Sequence, residues 1–163
     1  LDPDGLENYL LIKYRADDGV GTMKVNERFL KMAGVTVEEA WDKAMQNICK
    51  DTVIESMDKI FSEAMGTPYD PDAEPVIPLY IISSKENIKG ASSILNREKL
   101  KEFGEKYGVK QLLVIPSSIH EMLISPYTDW MEMDQMKAMV REVNEKEVLP
   151  EERLTDQAYI MTL

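Results

Sequence analysis

The chain has 163 residues, of which 44% are hydrophobic and 30% are charged, a profile that fits one soluble domain with a sizeable core. Asp and Glu outnumber Lys and Arg by 30 to 19, and the formal charge of −11 argues against nucleic acid as a partner, because such a field repels phosphate backbones. The sequence has no signal peptide and no apolar run long enough to span a bilayer, so we expect no membrane insertion and a cytoplasmic location.

Metal and disulfide chemistry is poorly supported by the composition. Cys49 is the single cysteine, which excludes an internal disulfide, and we expect it to be a buried, inert thiol. One histidine and one distant cysteine cannot supply the four N or S ligands of a structural zinc site. The acidic residues 70–74 lack the alternating acids and central glycine of an EF-hand. We therefore expect no metal and no cofactor.

The first third of the chain predicts a hairpin followed by helices. Residues 8–15 and 20–25 are two strand-like runs on either side of an Asp-Gly pair, which is typical of a β-hairpin. Asn26 can cap a short helix that Gly34 ends. Thr36 and Glu39 match a capping box, and the helix behind them carries an apolar stripe around Trp41 that we expect to be buried. A third helix is predicted over residues 54–65.

A proline-rich, acidic segment then separates two parts of the sequence. Residues 67–78 contain four of the eight prolines, so we interpret them as a stiff, extended connector. The few strands on either side predict that the connector joins two halves of one sheet. We therefore interpret residues 1–163 as a single domain.

The second part predicts more strands than helices. A strand is expected over residues 76–83, a short helix from Ala91, and a longer helix over residues 96–107. Two strands follow within residues 109–127, then a long helix from Asp129 with a methionine-rich stripe, and an edge or closing strand within residues 154–163. The whole pattern predicts an α+β fold with a mainly antiparallel sheet of about five or six strands packed by about five helices.

The two strands within residues 109–127 are expected to form the central hairpin of the sheet. A four-residue loop after Ile115 would place Ile115 opposite His120 and Leu113 opposite Met122. In that register His120 shares one face with Leu113, Ile115, Met122 and Ile124, and Glu121 lies on the other face. Both faces are apolar, so we expect cover on both sides.

Four blocks of sequence together resemble a known family. They are VNERFLKMAGVTVEEAWDKAMQN, YIISSKENIKGASSIL, VIPSSIHEM and VNEKEVLPEERLTDQAYIM. In this order and spacing they are similar to an uncharacterised bacterial family known only as a domain of unknown function. The resemblance implies one intact α+β unit corresponding to the C-terminal portion of longer members. It implies no activity, cofactor or catalytic residue.

The residue types of a nucleophilic triad occur together in residues 117–121. Ser117 or Ser118 with His120 and a carboxylate such as Glu121 would require the Ser Oγ beside one imidazole nitrogen and the acid beside the other. Neighbouring strand positions point to opposite faces, so Glu121 is poorly placed to orient His120. The sequence also lacks a G-x-S-x-G elbow. The alternative is that the serines close a turn and His120 is a structural residue.

A second candidate site lies before the short helix at Ala91. Lys85, Lys89, Gly90 and Ser92 combine cations with a helix start, where orphan N–H groups attract anions. The stretch is not a Walker loop, and ordinary capping with a glycine for close packing explains it equally.

We interpret the function as that of a non-catalytic interaction or regulatory module with a protein or peptide partner. Polar chemistry is sparse, and methionines adapt to varied partners. The alternative is a hydrolase that uses Ser117 or Ser118 with His120.

Overall fold

The fold is seen in a computed structural model that describes residues 6–17, 19–76, 78–128, 138, 141, 149–155 and 157–163. Within these residues, seven strands form two antiparallel sheets, one of two strands and one of five. Four α-helices and two short 3₁₀ helices accompany them in the same part of the chain. The predicted α+β fold with a mainly antiparallel sheet is confirmed.

The first two strands and two helices follow the local signals of the sequence. Strands β1 (Leu11–Ala16) and β2 (Gly19–Lys24) pair as the expected hairpin. Helix α1 (Glu27–Ala33) begins at Asn26, whose side chain accepts the N–H of Phe29 over 2.9 Å. Helix α2 (Val37–Asp51) begins with the predicted capping box between Thr36 and Glu39. Short-range hydrogen bonds therefore determine where both helices start.

The third predicted helix is wrong in its first part. Strand β3 (Thr52–Ser56) comes first and pairs with a later strand, and helix α3 (Met57–Met65) starts only after Ser56, whose hydroxyl caps Asp58. The run of Thr52, Val53 and Ile54 is β-branched, which favours an extended backbone. The proline-rich connector thus lies between β3 and its partner strand β4, and the β1–β2 hairpin forms a separate sheet.

The larger sheet has the order β3-β4-β6-β5-β7. Its other strands are β4 (Tyr80–Ser84), β5 (Gln111–Ile115), β6 (Glu121–Pro126) and β7 (Tyr159–Thr162), with β7 at the expected edge. Helix α4 (Arg97–Tyr107) is capped by Asn96. One face of the sheet forms the main core with α4 and with the 3₁₀ helix Gly90–Leu95, here called the Gly90 helix.

The β5–β6 hairpin is central, but its predicted register is wrong. Ile115 lies opposite Leu123, not His120, and Val114 lies opposite Ile124. The offset is an odd number of residues, so the faces are exchanged: Met122 and Ile124 share the main core with β5 residues Leu112 and Val114. The connecting loop is longer than expected because Ser118 and Glu121 pair through their own backbones, at 3.1 and 3.3 Å.

Three further expectations concern Cys49 and two predicted helices. Cys49 is exposed, not buried, because it lies one position past Ile48 and is rotated about 100° away from the apolar stripe of α2. The long helix from Asp129, with its methionine stripe, falls almost wholly outside the described residues. The short helix expected at Ala91 is the Gly90 helix.

Candidate functional site

The loop that carries His120 is held by contacts to two distant segments. The backbone N–H of Ile119 donates to the carbonyl oxygen of Glu152 over 2.9 Å, and the N–H of Ala91 donates to the carbonyl oxygen of Ile119 over 3.3 Å. These bonds fix the loop between the second 3₁₀ helix (Pro150–Glu152) and the Gly90 helix. His120 therefore belongs to a loop at the end of the sheet and not to a strand.

Both ring nitrogens of His120 have protein neighbours. The backbone N–H of Lys89 donates to Nδ1 over 3.2 Å, which requires a lone pair on that nitrogen. The proton of the neutral ring is therefore on Nε2, which lies 3.4 Å from Oε1 of Glu152. Glu152, and not Glu121, is the carboxylate beside the imidazole.

A polar cluster around the buried Ser83 supports the main chain of this loop. The hydroxyl oxygen of Ser83 lies 2.7 Å from the carbonyl oxygen of His120 and 2.8 Å from Oδ1 of Asn87, and its one hydrogen serves one acceptor at a time. Asn87 and Lys89 both have left-handed backbones, with φ of 50° and 52°. Such angles are costly for residues with a Cβ and are held here by the surrounding contacts.

Glu121 is affected by the same cluster. Burial raises the pKa of its carboxyl above the ordinary value, although the nearby His120 and a hydrogen bond to Asn87 oppose the shift. A carboxyl in this setting favours its protonated form more than one in water does. Burial therefore disfavours the charged form of this carboxyl in the folded protein.

The structure does not assemble the serines, His120 and Glu121 in triad geometry. Ser118 Oγ accepts the backbone N–H of His120 over 3.1 Å and so caps the turn. The imidazole contacts Lys89 and Glu152, and Ser117 is buried. These contacts support the structural interpretation of the serines and of His120 over the nucleophilic one.

The four candidate anion-binding residues have three different surroundings. Lys85 Nζ donates to the carbonyl oxygen of Lys50 over 2.8 Å, at the end of α2. Lys89 contributes its N–H to His120, and Gly90 packs against the carbonyl of the same residue. Ser92 is exposed and lines a cleft between α2 and the Gly90 helix. Lys85 is thus engaged through its ammonium group, whereas Lys89 is engaged through its backbone N–H.

A cleft of about 860 Å³ lies beneath the β1–β2 hairpin. One wall is the apolar stripe of α2, which contains Trp41, Ala44 and Ile48, and the opposite wall comes from the Gly90 helix and the adjoining end of the sheet. No residue of α2 is buried. The stripe that the sequence pattern assigned to the core is therefore only partly covered and forms a surface of the cleft.

Two polar features of the cleft are an ion pair and a buried hydroxyl. Arg15 on the hairpin pairs with Glu86 in the loop after β4 over 3.1 Å, across the cleft. Ser84 contributes to the wall, is only 8% exposed, and its hydroxyl has no hydrogen-bond partner among the described residues. A buried hydroxyl without a partner costs free energy, so Ser84 is the polar feature of the cleft that most requires an explanation.

Sequence reasoning missed Glu152, Asn87 and Ser84. Their roles depend on the pairing of distant segments, and no local spacing connects residue 152 with residue 120. The only available signal was the alternation of β4, which places Ser84 on the same apolar face as Ile82 and Tyr80. A serine in that position of a core strand is unusual.

Two kinds of feature are absent from the described part of the chain. They contain no group of three or more His, Cys, Asp or Glu side chains placed to hold a metal ion. Nor does any helix in this part of the chain have the length and apolar character needed to cross a membrane.

Comparison with known proteins identifies a family and no relative of known activity. The chain matches DUF5688, a family of unknown function, over residues 8–162. No curated protein and no solved structure gave a match. Because the match covers nearly the whole sequence, this chain belongs to the DUF5688 family.

Proposed function

We propose that this protein is a non-catalytic binding module whose binding site is the cleft between the β1–β2 hairpin, α2 and the Gly90 helix. The observation that carries the proposal is the incomplete burial of α2, whose apolar stripe lines the cleft instead of a closed core. Concave, mainly apolar sites with few polar groups are typical of ligand binding.

The surroundings of His120 support binding over catalysis. A general base needs a ring nitrogen that can accept a proton from the nucleophile. Here Nδ1 accepts from a main-chain N–H, and Nε2 faces Glu152. Ser118 Oγ is engaged by the backbone of the same loop. The chemical groups of the triad therefore serve to hold the loop that adjoins the cleft.

The cellular setting belongs to the same proposal. The resemblance to a bacterial family supports a role inside the bacterial cell, with this chain as the C-terminal portion of a longer protein. A protein or peptide partner, expected from the sequence, remains a prediction.

Two measurements on the full chain test the proposal. Panels of ester, peptide and phosphate substrates should show no turnover that is lost in His120→Ala, with folding checked by circular dichroism. A fragment screen by NMR should shift amide signals of α2 and the Gly90 helix, and these shifts should vanish in Ala44→Trp, which fills the cleft.

The matched control is Ala64→Trp on α3, an exposed position that does not line the cleft. It should bind the same fragments as the wild type. Turnover that depends on His120, or fragments that bind only around the His120 ring, would overturn the proposal.

A further inference from the structure

We propose that the cleft takes an uncharged, mainly apolar small molecule that carries one hydrogen-bonding group, recognised by Ser84. This inference rests on the proposed function and names the chemical class of its ligand. Three observations carry it: the size and walls of the cleft, the balance of its charges, and the state of the Ser84 hydroxyl.

The cleft has the size of a small-molecule site. Its volume of about 860 Å³ lies within the range of about 300–1,000 Å³ that is usual for such sites. Side chains from five parts of the fold supply its apolar walls, among them Ile12, Leu30, Trp41, Ala44, Ile48, Ile94 and Met122. A ligand with an apolar body would be in contact with them on several sides.

The charges around the cleft select against an ionic ligand. Four acidic and four basic side chains line it: Glu7, Glu39, Asp51 and Glu86, with Lys13, Arg15, Lys43 and Lys89. The protein as a whole carries −11, so this balance is a local property of the cleft. Arg15 and Glu86 already neutralise each other. A charged ligand would lose its hydration without a surplus of opposite charge.

The Ser84 hydroxyl would supply a hydrogen bond to the polar group of the ligand. Ser84 follows Tyr80 and Ile82 on the face of β4 that the main core covers, and it lines the cleft together with Ala91 and Ile94 of the Gly90 helix. Its oxygen is shielded by neighbouring side chains, so a ligand reaches it after rotation about the Ser84 Cα–Cβ bond between staggered positions. A ligand hydroxyl or carbonyl would then give this oxygen the partner that the described residues do not provide.

Three naphthalene probes with the same apolar body test the inference. Naphthalene-2-methanol is neutral, naphthalene-2-carboxylate is an anion, and 2-naphthylmethylammonium is a cation. In NMR titrations of the full chain we expect saturable binding of the neutral probe, with both ions weaker by similar factors. Ser84→Ala should weaken the neutral probe by about three- to tenfold, the usual value of one hydrogen bond.

Variants locate the binding. Ala44→Trp should abolish binding of the neutral probe, and Ala64→Trp should leave its affinity unchanged. If Ala44→Trp does not fold, as judged by circular dichroism, Ala40→Leu narrows the same wall and should weaken the probe. Equal or tighter binding of either ion, no saturable binding of the neutral probe, or unchanged affinity in Ser84→Ala would each overturn the inference. The non-catalytic proposal fails separately, through turnover that depends on His120.

Discussion

Gly90 lies directly against the carbonyl oxygen of His120. A Cβ atom placed on Gly90 would be 2.6 Å from that oxygen, 2.5 Å from the backbone nitrogen of Ser84 and 2.3 Å from Ser83 Oγ. Two of these three atoms belong to the main chain and cannot move aside cheaply. The absence of a side chain at position 90 therefore lets the Gly90 helix approach both β4 and the loop of His120.

Gly90→Ala should consequently destabilise the protein by about 1–3 kcal/mol, the cost of overpacking a close contact. A denaturant melt measures the loss. Gly34→Ala is the comparison, because it meets no atom within 4 Å and suffers only from its left-handed φ of 68°. A loss for Gly90→Ala no larger than for Gly34→Ala would show that the contact is not tight.

The raised pKa of Glu121 predicts an unusual pH dependence. A carboxyl whose pKa is higher in the folded state contributes stability that is fully present below its ordinary value of 4.5 and is lost as the pH rises through the folded pKa. Glu121→Gln keeps a neutral side chain at every pH. The variant should therefore be more stable than the wild type at neutral pH, and the difference should shrink at about pH 4.

Urea melts at the two pH values measure this difference. The control is Glu74→Gln, which removes an exposed carboxyl in the connector. It should change the free energy of unfolding equally at both pH values. If Glu121→Gln destabilises the protein at neutral pH, the ionised carboxylate is favourable and burial is not the dominant effect.

Substitution of Trp41 tests how far the apolar stripe of α2 is buried. Leu100 is fully buried, so Leu100→Ala should cost about 2–5 kcal/mol. Trp41 is only partly buried and lines the cleft, so Trp41→Ala should cost about 1–2 kcal/mol despite the larger side chain. Equal losses in chemical denaturation would mean that α2 closes onto a core in solution.

Unfolding of the intact chain and cleavage of the connector test whether residues 1–163 form a single domain. Strand β3 precedes the connector and pairs with β4 beyond it, so the two parts share one sheet. We expect one cooperative transition with coincident fluorescence and circular dichroism curves. Cleavage within residues 69–74 should leave both fragments associated on a sizing column. Independently folded, separated fragments would contradict the single domain.

Features that depend on neighbouring residues are predictable from this sequence, whereas features that depend on residues far apart in the chain are not. Thr36 and Glu39 form reciprocal hydrogen bonds within one helical turn, and Asn26 accepts the N–H of a residue three positions later. The sequence therefore predicts where both helices start. Strand β3 exists because β4 pairs with it, and the register of β5 and β6 depends on a turn formed by Ser118 and Glu121. Glu152 reaches His120 only when these distant pairings are in place.

The strand order of the larger sheet has a consequence for how fast the protein folds. Val114 pairs with Tyr159 and Ile82 with Met122, so most neighbouring strands are far apart along the chain, and only β5 and β6 are joined by a short loop. The chain loses entropy when a long loop closes, before the strands that it joins can pair. This order slows the folding of such topologies to about milliseconds to seconds. In stopped-flow refolding, mutations within the β5–β6 hairpin should change the folding rate, whereas those in β7 should act chiefly on unfolding.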